Sequence, residues 1–317
     1  TGQYPLTHGL FVNDVCLQNG ATSMAQAFKA GGYDTAYIGK WHIDGHGRTN
    51  YIPPERRQGF EYWKVLECTH SYNESYYYAG ASEEKLAWET YDAQAQTKDA
   101  QQYIRDHQGD DPFLMVLSWG PPHAPYETAP EKYRAQYRPE DIELRPNMPP
   151  EKAADAAEWI AGYYAHCTAL DDCMADLLQT LEDQGIDDHT LVLFFSDHGD
   201  MLGSQGWDKK QKPWEESIRV PFLLRYPALL GTEGRQVDAL IDIPDIMPTL
   251  LGLCQLNIPE SVEGLDFSAY LRGGDDPSDG AALLSCPHPF GQWHRQIGGR
   301  EYRGLRTKRY TYVRSLG

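Results

Sequence analysis

The chain has 317 residues, is 41% apolar and carries a formal net charge of −18. This is enough for one large α/β domain, or one domain with a small second one, and so acidic a balance argues against nonspecific binding of nucleic acid or an anionic membrane. No run of about 18 apolar residues occurs, so no membrane span is expected, and six cysteines without a CxxC pair read as free, mostly buried thiols rather than a zinc or redox site.

In chain order, a helix is predicted over residues 22–30, stopped by Gly31-Gly32, and a strand over 33–41. The stretch 112–119 (PFLMVLSW) is a nearly continuous apolar run. Residues 121–150 are rich in Pro, Tyr, Glu and Arg and read as a long loop over the sheet, the kind of segment that carries function. The clearest helix is 153–184, where Ile160, Tyr163, Cys167, Leu170, Met174, Leu177 and Leu181 form one apolar stripe, ended by Gly185. Further strands are predicted at 191–197 and 221–226, and an edge strand at TKRYTYVRS near the end. Continuous apolar strands alternating with helices point to an α/β fold: a mainly parallel central sheet sandwiched by helices. The expected division is 1–258 for this domain and 259–317 for part of a small antiparallel subdomain.

Four segments near strand ends could carry chemistry. Lys40 and His42, two apart, leave a strand end on the same side and could reach one anion, although a surface lysine and a capping histidine read as easily. His123 follows an apolar strand in SWGPPHAP, where two prolines fix its backbone; an incidental turn histidine is the alternative. Asp197 and His198 end a buried strand and suit a divalent cation. Gly199 would permit the turn, and Asp200 is a ligand or a cap. Lys209, Lys210 and Lys212 make a basic loop that stands out in so acidic a chain, either a solvated run or the counter-charge for a tetrahedral oxyanion. Together the four describe one pocket suited to transfer of such a group.

The motifs TGQYPLTHG, GYDTAYIGKWH, PPHAP, SDHGDMLGSQG, KKQKPWEESIRVPFLLRYP, DIMPTLLGL and YRGLRTKRYTYVR, in this order, resemble the sulfatase family of the alkaline-phosphatase-like superfamily along essentially the whole chain. The resemblance implies that Lys40 and His42 lie by the nucleophile and the sulfate oxygens. It implies that His123 meets the ester and protonates the leaving oxygen, and that Asp197 and His198 hold one divalent cation. Calcium is the usual metal; magnesium or manganese are the alternatives. The family's second sulfate-binding lysine, four residues before an aromatic, maps onto Lys210 ahead of Trp214, with Lys209 and Lys212 as fallbacks.

The family's nucleophile is a formylglycine made from the Cys or Ser of C/S-x-P-x-R, a motif that ends in Thr-Gly. Here Thr1-Gly2 occupy that end, so the nucleophile, its Arg and an acidic pair of metal ligands are expected to lie upstream, and the chain alone is expected to be inactive. Cys16 does not substitute, because VCLQNG lacks the following Pro and Arg. The expected substrate is a sulfated carbohydrate or similar ester, and a periplasmic or secreted parent is the family-level expectation. A phosphonate monoester or phosphodiester hydrolase, and a noncatalytic binding remnant, are the other readings. Trp207, Lys212, His288, Trp293, His294, the loop 121–150 and the tyrosine-rich stretch 72–78 are the places where substrate contacts are expected.

Overall fold

The structure, a computed structural model, describes residues 1–18, 20–107, 109 and 111–315, apart from the side chain of Gln292. The centre of the fold is β1 (Asp34–Lys40), which pairs in parallel with β2 (Tyr62–Leu66) and with β5 (Phe113–Ser118). The strands β3 (Ser75–Ala79) and β4 (Leu86–Trp88) continue this sheet antiparallel beyond β2, in the order β4-β3-β2-β1-β5. The strands β6 (Val192–Phe195) and β7 (Phe222–Arg225) form an antiparallel pair of their own. Among the described residues the central sheet is mixed, with its parallel pairing in β2-β1-β5.

The helix Met24–Ala30 begins in a reciprocal cap between Ser23 and Gln26, which satisfies two of its free amide ends. It leads into β1, where Ala36 and Ile38 are completely buried. The helix Ala153–Asp183 runs for 31 residues, roughly 46 Å. Ile160, Leu170, Leu177 and Leu181 of its expected stripe are buried, whereas Cys167 is exposed and borders a deep cavity. All six cysteines are free, and three of them (Cys68, Cys173 and Cys286) are buried.

Side chains alternate along the strands between two helical layers. Phe113, Met115 and Leu117 of β5 pack with Ile104, Leu177 and Leu181 on one side. Leu114 reaches the other side, with Phe28, Met247 and Leu250 of the helices Met24–Ala30 and Ile243–Leu253. The result is a helix–sheet–helix sandwich, the α/β arrangement that the sequence suggests.

The segment 121–150 is not a bare loop. It contains short helical turns at Tyr126–Thr128, Glu131–Arg134 and Pro139–Asp141, and it is pinned by buried tyrosines. Tyr126 donates to Asp200 Oδ2 at 2.7 Å and Tyr133 to Asp172 Oδ2 at 2.7 Å. Near the end, β8 (Ala281–Cys286), β9 (Tyr302–Thr307) and β10 (Thr311–Ser315) make an antiparallel sheet with β10 at its edge. Residues 316–317 of the expected subdomain lie outside the described residues. No described helix is long and apolar enough to cross a membrane.

Candidate active site

The ends of β1, β5 and β6 open into one cavity of about 1930 Å³. Lys40, His42, His70, His123, Asp197, His198 and Lys210 all line it. The backbone is shaped to bring them there. Gly39, at φ 107°, passes so close to β5 that a Cβ would meet Ser118 O at 2.2 Å. Only glycine accepts both the dihedral and the approach. His42, two residues on, adopts a left-handed φ of 55°. Its Nε2 lies 3.3 Å from Asp14 Oδ1, and Arg48 holds the same carboxylate with contacts of 2.9 and 2.7 Å. Burial and the charge of Lys40 lower the pKa of His42.

His123 follows β5 across the cis Pro121-Pro122 bond. Its Nδ1 lies 2.9 Å from Ala124 O, which assigns the proton to Nδ1 and leaves Nε2 as the acceptor. Lys210 Nζ lies 3.0 Å from this Nε2. Burial, together with the positive charge of Lys210 and Lys40, pushes the imidazole down to about 3, so it is neutral at pH 7. Burial also lowers the ammonium pKa of Lys210, while the carboxylate of Asp197 opposes that shift.

The loop after β6 holds several left-handed residues, Leu202, Gln205, Lys209 and Gln211 among them. Such backbone costs about 1–3 kcal/mol per residue and persists only where surrounding contacts impose it. Asp200 supplies much of that support. It is buried and accepts from Tyr126, from Leu202 N at 3.1 Å and from Lys209 N at 3.0 Å. Of the ligand and cap readings of Asp200, these bonds favour the cap. Gly199 serves a close approach rather than an unusual dihedral, since a Cβ there would meet Glu216 O at 2.1 Å. The small C-terminal sheet braces the same loop: Tyr302 donates to Gln211 O at 3.2 Å, and Arg306 Nε reaches Glu215 Oε1 at 2.6 Å.

Asp197 is 84% exposed, its carboxylate facing the cavity, and lies 3.5 Å from His198 Nε2. His198 Nδ1 is engaged by Gly199 O at 2.8 Å, which turns the Nε2 lone pair toward that carboxylate. Burial lowers the pKa of His198, while the carboxylate of Asp197 opposes that shift. A carboxylate beside a neutral imidazole nitrogen fits a divalent cation. A second cluster, Cys16, Asp44 and His46, has ligand atoms within 4.8 Å of one another; Arg56 already grips both oxygens of Asp44, at 2.6 and 3.1 Å.

The three lysines of the loop part company. Lys210 faces the cavity, Lys209 Nζ sits 5.0 Å from the Tyr126 ring centroid, and Lys212 is completely buried. Lys212 donates to Asp208 O at 2.7 Å, its Nζ 5.4 and 5.8 Å from the ring centroids of Trp207 and Trp293, and it does not line the cavity. Burial pushes Lys212 down to about 8. Trp293 is buried, donates to Arg300 O and packs edge-on against Trp207 at 5.1 Å, so this pair ties the small sheet to the lysine loop. Neither Trp207, His288 nor His294 lines the large cavity or the smaller one beside His123. Tyr72 and Tyr78 are buried and donate to Ala124 O and Thr49 O, so they serve the fold rather than a cavity mouth.

The sequence reading missed His70. Its ring lies 4.9 Å from that of His123, and burial plus Lys40 and Lys210 push it down to about 4. The available signal was a histidine just beyond the carboxyl end of β2, a strand hidden by the lysine in YWKVL.

A family model described as "Sulfatase" matches residues 1–256, and one described as "N-sulphoglucosamine sulphohydrolase, C-terminal" matches residues 203–316. The ulvan-active sulfatase of Formosa agariphila is 45% identical over 99% of the chain, and the chain spans 62% of that protein's length. The endo-4-O-sulfatase of Bacteroides thetaiotaomicron is 28% identical over 98% of the chain and 68% of its own length. Among solved structures, a putative sulfatase from Bacteroides fragilis superposes with a TM-score of 0.88 at 28% identity, covering 100% of this chain and 74% of that one. By a family match over residues 1–256 and the 45% identical relative, the chain belongs to the sulfatase family.

Proposed function

We propose that this chain forms the oxyanion-binding part of the active site of a sulfuric ester hydrolase acting on a sulfated polysaccharide. What carries the reading is the pairing of Lys210 with His123 inside a cavity that Lys40 also lines. A tetrahedral sulfate has three free oxygens and one bridging oxygen. Lys40 and Lys210 offset the charge of the free oxygens, which offsets the cost of taking them out of water. His123 faces the bridging oxygen. The Lys210–His123 pair holds one proton between Nζ and Nε2, and the departing alkoxide takes that proton.

Asp197 and His198 hold a divalent cation, with calcium the ion that the resemblance implies. Bound there, it supplies positive charge to a sulfate oxygen. The nucleophile, a formylglycine on the same resemblance, is assigned to no residue of this chain.

On the alcohol side of His123 lies a smaller cavity of about 330 Å³, lined by Tyr126, Glu127, Trp159, Asp208 and Lys209. An indole face beside carboxylates suits a sugar ring with its hydroxyls. The ulvan-active relative supports ulvan or a similar sulfated polysaccharide as the class of substrate.

Calorimetric titration of the chain with a sulfated ulvan oligosaccharide and its desulfated counterpart tests the reading. Binding of the sulfated form alone, weakened by Lys40→Ala, is expected. Equal affinity for the two forms would remove the sulfate from the recognition and sink the proposal.

A further inference from the structure

Residues 14–17 run beside residues 42–46. Leu17 N donates to Ile43 O at 3.0 Å, and Gly45, at φ 68°, passes so close that a Cβ would meet Cys16 N at 2.4 Å. Only glycine accepts that dihedral with that approach. The turn is fixed by Glu67, whose Oε1 accepts from Asp44 N at 3.0 Å and Gly45 N at 3.1 Å, and by Asn50, which donates to His46 O at 2.6 Å. It brings Cys16 Sγ, a carboxylate oxygen of Asp44 and a ring nitrogen of His46 within 4.8 Å of one another.

Charge at this turn does not balance. Asp44 and Glu67 are each only 2% exposed, and Arg56 engages Asp44. Two buried carboxylates beside one guanidinium are costly in a desolvated place. Oε2 of Glu67 is buried and has no hydrogen-bond partner among the described residues. Burial and the charge of Asp44 raise the Glu67 carboxyl, against the amides of Gly45 and Asp44. Burial and the charges of Asp44 and Glu67 raise the Cys16 thiol, against Arg56. The three acidic groups thus repel one another, and a shared cation reverses that repulsion.

Arg56 leaves room for such an ion. Its Nε and Nη2 take one lone pair on each Asp44 oxygen, at 2.6 and 3.1 Å, and a carboxylate offers about four. His46 Nδ1 lies 2.6 Å from Asp44 O and 3.2 Å from Asp44 Oδ2. The ring is half-exposed, so its proton can sit on Nε2 and leave a lone pair on Nδ1. Donors around a tetrahedral ion with bonds of about 2.0–2.3 Å stand roughly 3.3–3.8 Å apart, so the cluster has to tighten by about 1 Å. A thiolate with an imidazole and carboxylates suits zinc and disfavours calcium and magnesium, which take oxygen.

We propose that Cys16, Asp44, His46 and Glu67 form a site for one thiophilic divalent cation, zinc by the chemistry of its donors. The thiol gives its proton to water as the ion binds, and the ion ties residues 14–17 to residues 42–46. None of the four lines the large cavity, so the site is separate from Asp197 and His198 and stands independently of the sulfate-ester reading. Its consequence for that cavity is one of position. Asp14, which contacts His42 and Arg48, lies two residues from Cys16, and His42 lies two residues from Asp44.

Titration of the 317-residue chain with cobalt(II), followed by absorption and with calcium in excess to occupy Asp197 and His198, tests it. The expected result is a thiolate-to-cobalt charge-transfer band that saturates at one equivalent and disappears on addition of zinc. Cys16→Ser should abolish the band. His46→Ala, at an exposed position where the fold tolerates truncation, should weaken cobalt binding at least tenfold. Cys167→Ser, which removes an exposed thiol elsewhere, should leave the band unchanged. The proposal is overturned if no band forms, if the band survives Cys16→Ser, if it is lost with Cys167→Ser, or if His46→Ala binds cobalt as tightly as the parent chain.

Discussion

Lys210 Nζ and His123 Nε2 lie 3.0 Å apart although 87 residues separate them in the chain. The contact joins the strained loop after β6 to the end of β5, and it places an ammonium against the only ring nitrogen of His123 free to accept. Burial, together with the ammonium of Lys210, lowers the proton affinity of the His123 ring.

Lys210→Ala and His123→Ala are each expected to weaken binding of a sulfated oligosaccharide roughly 10- to 100-fold, the range of one charge-assisted hydrogen bond. The double variant should lose less than the sum of both. Calorimetric double-mutant cycles check this, and strictly additive losses would mean that the two groups act separately.

Asp197→Asn should reduce affinity for calcium at least tenfold, because the amide keeps the shape of the carboxylate and loses its charge. A calcium titration followed by calorimetry reads the effect. Unchanged affinity would exclude Asp197 as a ligand.

Gly39→Ala should destabilise the fold by about 2 kcal/mol or more, since the new methyl meets Ser118 O and the backbone stays at a positive φ. Urea unfolding gives the measurement. A loss under about 0.5 kcal/mol would show that β1 and β5 separate readily there.

Asp92, at the first turn of the helix Asp92–Asp106, is buried, and burial raises its carboxyl to about 7. Its folded value exceeds its unfolded one, so its contribution is fully present below about pH 4 and is lost as pH rises through about 7. The slope it adds is at most about 1.4 kcal/mol per pH unit. Asp92→Asn should flatten the fall in stability between pH 5 and pH 8. Parallel profiles for both proteins, from urea midpoints across that range, would contradict the assignment.

Most of the strands that end in the site were legible because their signal is local. PFLMVLSW and LVLFFSD are apolar without interruption, and GYDTAYIGKW is framed by a glycine stop and a glycine near its end. The strands β2 and β3 were not legible. Lys64 and the tyrosines of 76–78 interrupt the apolar pattern, and their burial depends on partners far along the chain. His70 stayed hidden with them.

The sequence by itself determined which residue types stand at the strand ends, because motif order and apolar runs are properties of neighbours in the chain. Only the tertiary structure decided which cation of the basic loop meets His123. Lys209, Lys210 and Lys212 lie within four positions and are chemically alike, yet an aromatic ring, an imidazole and a two-tryptophan box take one each. The loop's left-handed residues and the bracing by Asp200 and the small sheet aim these side chains apart, and such long-range contacts leave no local trace in the sequence.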